Sequence, residues 1–516
     1  MRSDQAPFIF IAGLLLAAAI AAEEGPQQWI REYRVQGARS LPAAVVEAAV
    51  YPFLGRARSA ADVEQARAAL EAAYHEAGFK AVTVEVPPQS GAGGVVSLHV
   101  SENPVGRLRV RGARWNSPRA LTESAPELRE GTVLDFTAVP RAVVRLNQRR
   151  DLRVTPEIKP GSEPGTLDVD LSVEDRLPLH GSLEVNNRYN EGTTPVRLNA
   201  AVSYENLWQR GHGAGVAWQV APERTADAAV WSAWYLARIR EIDWLTLLLQ
   251  GTRQDSDVST LGGLAVAGRG SVLGCRLVAA LPGTERLQHS LSVGADWKRF
   301  DEDIVLAGER TSLPIRYVSP VAGYSAAWTS KASRTELNLA LGMGLRGSGS
   351  ETAAFDAKRF AATGSWLHLR GDAEQVRELP RGFQAAFGVR GQLTGDSLVN
   401  NEQFSAGGPG TVRGYLESAA LADRALLGSL EARSPDLLRG AAEWRLHAFI
   451  EGGRLFLNEP LPEQQDVFDL LGVGVGSTLR TGEAFAADID FALPLRDAGP
   501  ATAGDWFLSF RLRSAF

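Results

Sequence analysis

Cysteine is nearly absent: Cys275 is the one thiol in 516 residues. An intrachain disulfide is therefore excluded, and so is a zinc site built from several thiolates. A lone cysteine in an exported chain reads as a small buried hydrophobe. Histidine is scarce too, at seven residues, and none stands in a His-Glu-x-x-His pattern. The chain also lacks a phosphate-cradling Gly-x-x-x-x-Gly-Lys and a Gly-x-Ser-x-Gly nucleophile elbow. The Gly472–Gly476 run has the glycines of a dinucleotide fingerprint without its following helix or its third-glycine spacing, so it reads as a strand of small residues. No metal, cofactor or catalytic group is expected, and the chain is not read as an enzyme. Net charge is −6, which gives no reason to expect nucleic acid. Beyond the N-terminus no run of 18 apolar residues appears. If the mature chain crosses a membrane it does so as a closed barrel, the other structure that satisfies its backbone in lipid.

What is abundant points the same way. The 52 glycines and 12 tryptophans suit turns and interfacial aromatics of a β-barrel. At the start, Arg2, the apolar Phe8–Ala19 and the small-x-small Ala19-Ile20-Ala21 read as a signal peptide over residues 1–21.

Residues 28–178 hold a duplication. Arg34-Val35-Gln36-Gly37-Ala38-Arg39 recurs as Arg109-Val110-Arg111-Gly112-Ala113-Arg114. Each copy opens with a strand whose glycine turns into helix. In the first, Leu41–Leu54 and Ala60–Ala77 are expected as helices, with Val63, Ala66, Leu70 and Tyr74 on one face. Gly78 stops the second helix, and strands Ala81–Val86 and Val95–Ser101 follow. In the second copy, Leu121 and Ala138–Leu146 fall on helices, and Leu152–Ile158 and Thr166–Val173 on strands. Each unit is β-α-α-β-β, spanning 28–102 and 103–178, with a free strand edge able to pair an extended peptide.

After about Arg176 the pattern changes to period 2. Val196, Leu198, Ala200, Val202, Tyr204 and Trp208 fall mostly on one side, and Arg197, Asn199, Ser203 and Glu205 on the other. Similar segments are Ala214–Val220, Ala229–Arg238, Trp244–Arg253, His289–Lys298, Ser325–Trp328, Glu336–Leu345, Phe383–Leu393, Ala441–Ile450 and Gly474–Arg480. In the last strand Trp506, Leu508, Phe510, Leu512 and Phe516 face one way, ending in an aromatic carboxy-terminal residue suited to the membrane interface. A soluble sandwich of about 340 residues would be very large, so 179–516 is read as a transmembrane barrel. Strand number is open from pattern alone, fourteen, sixteen and eighteen all fitting.

Between two strand-like segments runs Asn401-Glu402-Gln403-Phe404-Ser405-Ala406-Gly407-Gly408-Pro409-Gly410-Thr411-Val412-Arg413-Gly414-Tyr415, a glycine-rich loop of the length that is usually functional. With the signal peptide, the two β-α-α-β-β units and Phe449-Ile450-Glu451-Gly452-Gly453 on a following strand, it resembles the outer-membrane transporters of two-partner (type Vb) secretion, the haemolysin secretion/activation family of the POTRA-plus-barrel superfamily. A third shared element is Gly472–Gly476 leading to Ala492-Leu493-Pro494-Leu495. The resemblance implies an α+β pair of POTRA units followed by an all-β barrel of sixteen antiparallel strands, with loop 396–424 folded inward. It implies residence in the outer membrane with the POTRA units in the periplasm. The function implied is capture of a large unfolded exoprotein by the POTRA units and its passage through the barrel to the cell surface. Barrel-assembly machinery and periplasmic chaperones are the partners implied for biogenesis, and the C-terminal Phe516 serves as targeting signal.

Within that resemblance Val412, Arg413, Gly414 and Tyr415 form a loop lock. A guanidinium in the lumen needs carboxylates, and Glu451 is the expected partner. The family carries aspartate there in Phe-x-Asp-x-Gly, so this chain keeps the charge on a longer side chain. Phe449, Glu451 and Gly453 share a face, and Gly452 and Gly453 leave room for a loop tip. Asp488 and Asp490 are the backup acceptors. One departure is that Glu23–Gln28 leaves no room for the plug helix of many members. Two rival readings are an insertase of the same superfamily, which usually carries three or five POTRA units, and a passive porin or adhesin barrel.

Overall fold

A computed structural model describes residues 27–516 apart from 91, 240–241, 243, 256–257, 262–263, 268, 307–308 and 439. The expected signal peptide lies outside the described residues. The chain divides into two compact units, the first ending at Leu177 and the second running from Pro178 to Phe516.

The first unit is two copies of one fold. In copy one, strand Glu32–Gln36 leads to α1 (Ala43–Val50), α2 (Ala60–Glu76) and strands Thr83–Glu85 and Val95–Ser101. Copy two follows suit with strand Val105–Arg111, α3 (Pro118–Glu123), α4 (Val139–Leu146) and strands Leu152–Pro160 and Leu167–Asp175. In each sheet the last strand is central, parallel to the first and antiparallel to the second. The α2 stripe Val63, Ala66, Leu70 and Tyr74 is buried, and Ser59 closes the helix start with a capping box. Helix α1 is shorter than expected because Pro52 sits in a 3-10 turn, Tyr51–Phe53.

The repeated Arg-Val-x-Gly-Ala-Arg has a shared physical cause. Gly37 (φ +88°) and Gly112 (φ +87°) take the left-handed conformation, and a Cβ there would lie 2.2 Å from the Val100 carbonyl oxygen and 2.4 Å from that of Val173. The turn that follows points N–H groups at one carboxylate. Glu102 accepts from Arg39 N and Ser40 N at 2.7 Å, and Asp175 from Arg114 N, Trp115 N and Asn116 N at 2.8–2.9 Å. Burial works to raise the pKa of both groups, yet these hydrogen bonds outweigh it and hold both below the ordinary carboxylate value.

The second unit is a closed barrel of sixteen antiparallel strands. They are β1 (Leu179–Asn186), β2 (Arg197–Leu207), β3 (His212–Val220), β4 (Ala229–Arg238), β5 (Leu245–Gln254), β6 (Gly270–Ala280), β7 (Leu287–Leu306), β8 (Glu309–Thr329), β9 (Ser333–Gly344), β10 (Trp366–Glu378), β11 (Gln384–Thr394), β12 (Arg424–Arg433), β13 (Ala442–Phe456), β14 (Val467–Thr481), β15 (Phe485–Pro494) and β16 (Phe507–Ala515). β16 pairs with β1 to close the wall. Large apolar side chains such as Leu183, Trp231, Leu273, Leu426, Leu430 and Val475 stand exposed on the outside, the face that lipid covers. Cys275 is exposed rather than buried, because it lies on the outward face of β6 between Leu273 and Leu277, two residues away on either side.

Candidate functional site

The connection between β11 and β12, residues 395–423, turns back into the barrel. Its short hairpin, Phe404–Ala406 against Ala420–Ala422, lets it enter and leave side by side. Phe404, Ala406, Val412, Tyr415, Ala420 and Ala422 form an apolar cluster with Ala425, Leu427, Leu455, Leu457 and Leu470 of the adjoining wall.

At the tip, Arg413 is held from four directions. Its backbone N–H donates to Glu451 Oε2 at 2.8 Å and its Nε to Glu451 Oε1 at 3.0 Å, with Nη2 on the same oxygen. Nη2 also donates to Glu431 Oε2 at 2.7 Å, and Nη1 reaches Asp490 Oδ1 at 3.4 Å. The guanidinium carbon stands 3.4 Å from the centroid of the Phe449 ring, a cation–π stack. Arg433 neutralises the far side of Glu431 at 2.7 Å, and His447 Nε2 meets Asp490 Oδ1 at 2.6 Å. The Arg413 side chain keeps 11% of its surface and that of Glu451 8%, so the charges meet where water screens them little.

Glycines make the approach possible. On β14 a Cβ at Gly472 would sit 2.1 Å from the Arg413 carbonyl oxygen. One at Gly474 would strike the Phe449 ring at 2.4 Å, and one at Gly476 would strike Asp490 Oδ1 at 2.3 Å. The Gly-x-Gly-x-Gly run is a bare track beneath the tip. Gly414 takes φ +98° and packs against Leu493 and Pro494. Tyr415 is fully buried; its hydroxyl has the Arg496 carbonyl at 2.9 Å and the Leu471 carbonyl at 3.1 Å as acceptors for its one proton and accepts from Leu471 N at 3.1 Å.

The structure thus brings Val412, Arg413, Gly414 and Tyr415 together with Phe449, Glu451 and Asp490. Gly453 packs instead against its neighbour strand, where a Cβ would lie 2.1 Å from the Leu426 carbonyl oxygen. Asp488 does not reach Arg413: it accepts from Arg511 at 2.6 Å and Thr478 at 2.8 Å. Phe516 exchanges backbone hydrogen bonds with Gly181 at 3.0 and 3.1 Å, and its ring covers Gly181. Sequence reasoning missed Glu431, and no spacing signal marks it among the many acids of the strands. It also missed Arg188, which donates to Glu417 Oε1 at 2.7 Å and ties the returning arm of the loop to the segment after β1.

Two family models match this chain: the ShlB-type POTRA domain over residues 29–103, and the haemolysin secretion/activation protein ShlB/FhaC/HecB over 319–479. Among curated relatives, the outer membrane transporter CdiB of Dickeya dadantii is 26% identical over 187 residues, 36% of this chain and 33% of its own. The CdiB of Escherichia coli is 26% identical over 210 residues, 41% and 35%. The matched stretch spans about a third of those relatives' length. Among solved structures, CdiB from Escherichia coli superposes with a TM-score of 0.64 at 20% identity, covering 98% of this chain and 93% of that one. CdiB from Acinetobacter baumannii gives 0.59 at 14% identity, covering 100% and 95%. The fold is shared across both. The sequence resemblance and the family matches agree, and with them outer-membrane residence, with periplasmic POTRA units ahead of the barrel.

Proposed function

We propose that this chain, matched to the ShlB-type transporters at both its POTRA and its barrel segments, carries an unfolded exported protein from the periplasm to the cell surface. The observation that carries the reading is the lumen itself: a closed sixteen-strand wall is filled by a loop of its own chain, docked through Arg413 on Glu451, Glu431 and Asp490. A passive porin would not need the duplicated module that precedes the barrel. In this reading Arg413 and Glu451 are the lock, with Val412, Gly414 and Tyr415 shaping the tip. No nucleotide or metal takes part, and folding of the cargo outside biases its direction of travel.

The partner first meets the POTRA units by adding a strand. Sheet edges narrow the choice. Strand Thr83–Glu85 has its outward Val84 N–H and carbonyl taken by Glu71 and Arg67 side chains at 3.1 Å. In the second unit Val105 and Leu108 are covered by Thr132 and Glu130, and the opposite edge carries Pro156 and Pro160, which donate nothing. Among the described residues, Glu32–Gln36 is the remaining edge of the two three-stranded sheets, and it is the one assigned to the cargo. The lipid bilayer, chaperones and barrel-assembly machinery complete the partners.

The test is to find a large exoprotein with a secretion domain in a neighbouring gene and to follow its release into the culture medium with and without the transporter. Retention in the periplasm on deletion, with restoration by the intact gene, is expected. Unchanged release refutes the reading.

A further inference from the structure

Glu402 is a buried carboxylate that the lock at the tip does not use. It stands where the loop enters the barrel and is 4% exposed. Three side chains from three strands converge on it: Lys298 Nζ of β7 at 2.6 Å, the Tyr317 hydroxyl of β8 donating at 2.6 Å, and His368 Nε2 of β10 at 3.5 Å. Its carbonyl accepts from Gln392 Nε2 at 3.2 Å and Arg370 Nη2 at 3.4 Å. A carboxylate at that depth is stable because a cation and hydrogen-bond donors meet it.

This arrangement is the tip lock with its polarity reversed. At the tip the loop brings a cation to wall carboxylates on β12, β13 and β15. At the root it brings a carboxylate to wall donors on β7, β8 and β10, a different sector of the cylinder. The exit of the loop is fastened beside the root. Asp423, with no exposed surface, accepts from Leu398 N at 2.9 Å, Asn458 N at 2.7 Å and Gln403 Nε2 at 3.2 Å. A tip that lets go therefore leaves the hairpin still tethered inside the lumen.

We propose that Glu402 is a second positioning residue for the loop, a root clamp that keeps it across the lumen after Arg413 releases, so that the pore opens in two steps. The proposal rests on the reading that the loop blocks a transport pore. Removing the tip lock alone gives partial openings, and full opening needs Lys298, Tyr317 and His368 to surrender Glu402 as well.

The experiment is single-channel recording of the full-length protein in planar bilayers, with heat-modifiable gel mobility reporting that each barrel is folded. Arg413→Ala is expected to give brief, small openings. Arg413→Ala with Glu402→Gln is expected to reach a larger conductance level and stay open about tenfold longer, since a buried charge has lost its partner. Tyr317→Phe, which removes one donor and keeps the ring, is the milder variant and falls between them. Exchanging the pair, Lys298→Glu with Glu402→Lys in the Arg413→Ala background, is expected to restore the small openings, which loss of packing alone would not. A double variant indistinguishable from Arg413→Ala, or a charge exchange without rescue, overturns the clamp. Because no cargo is present, that result leaves the secretion reading standing; loss of secretion function is read separately in the release assay.

Discussion

Gly472→Ala tests the docking of the loop without touching one of its charges. The added Cβ would lie 2.1 Å from the Arg413 carbonyl oxygen and 3.3 Å from the carbonyl carbon. Ordinary contact begins near 3.4 Å, so the tip must withdraw by more than about 1 Å. The contacts that hold it start at 2.8 Å to Glu451 from the backbone, 3.0 Å from Nε and 2.7 Å to Glu431. Lengthened by that much they leave hydrogen-bond range. Overpacking of this kind costs about 1–3 kcal/mol, which lowers the ratio of docked to undocked tip about 5- to 150-fold.

Trypsin reads this directly, because Arg413 is itself a cleavage residue and the docked tip hides it. Intact cells are treated with trypsin, and cleavage after Arg413 is followed by mass spectrometry. Gly428→Ala is the matched control: its nearest neighbour is the Gly388 carbonyl oxygen at 4.0 Å, so nothing need move. Faster cleavage in Gly472→Ala alone is expected. Equal rates in Gly472→Ala, Gly428→Ala and the unaltered protein refute the claim that this glycine makes room for the tip.

Further outcomes follow from the same geometry. Tyr415→Phe removes a hydroxyl that joins Leu471 and Arg496, and is expected to cost the docked loop about 1–3 kcal/mol, read by the same cleavage assay. Gly37→Ala and Gly112→Ala each place a methyl within 2.4 Å of a carbonyl oxygen, and are expected to raise protease sensitivity of the repeat they lie in while sparing the barrel. Stability of the repeats depends on pH through Glu102 and Asp175. Their folded pKa values are depressed, so the stabilisation is present above the unfolded value of about 4 and is lost as pH falls through the folded one. Proteolysis by an acid-active protease across that window checks it, and Glu102→Gln flattens the profile of the first repeat.

The duplication was legible because its cause is local. A glycine with positive φ under a neighbouring carbonyl leaves the same six-residue imprint twice. Alternation in β2, β3, β4 and β16 was legible for a similar reason, since lipid lies outside and polar lumen within. β12 escaped notice, and its packing says why. Leu426 faces lipid at 65% exposure while the adjacent Leu427 is 3% exposed, buried under the apolar cluster of the loop. Where the loop fills the lumen the inner wall turns apolar, and the two-residue period disappears. β6 is blurred likewise by Val272, Gly274 and Val278 on its inner side.

The same cause explains what was readable at the site. Arg413 stood out because a fixed cation in a glycine-rich loop demands carboxylates, and Glu451 because Phe449-Ile450-Glu451-Gly452-Gly453 resembles the family's Phe-x-Asp-x-Gly. Glu431 was one acid among many, and Asp490 a backup acceptor not told apart from Asp488, until strand register fixed which of them points at the tip. Asp488 lies two residues from Asp490 on the same face, yet Arg511 on β16 takes it. Residue type shows that a lumen charge needs a partner; the register of neighbouring strands decides which partner it gets. A tip docked by several such choices on β12 to β15 loosens when one of those strands shifts against the next, while the Glu402 contacts on β7, β8 and β10 still hold the root, which ties each step of loop release to a different sector of the wall.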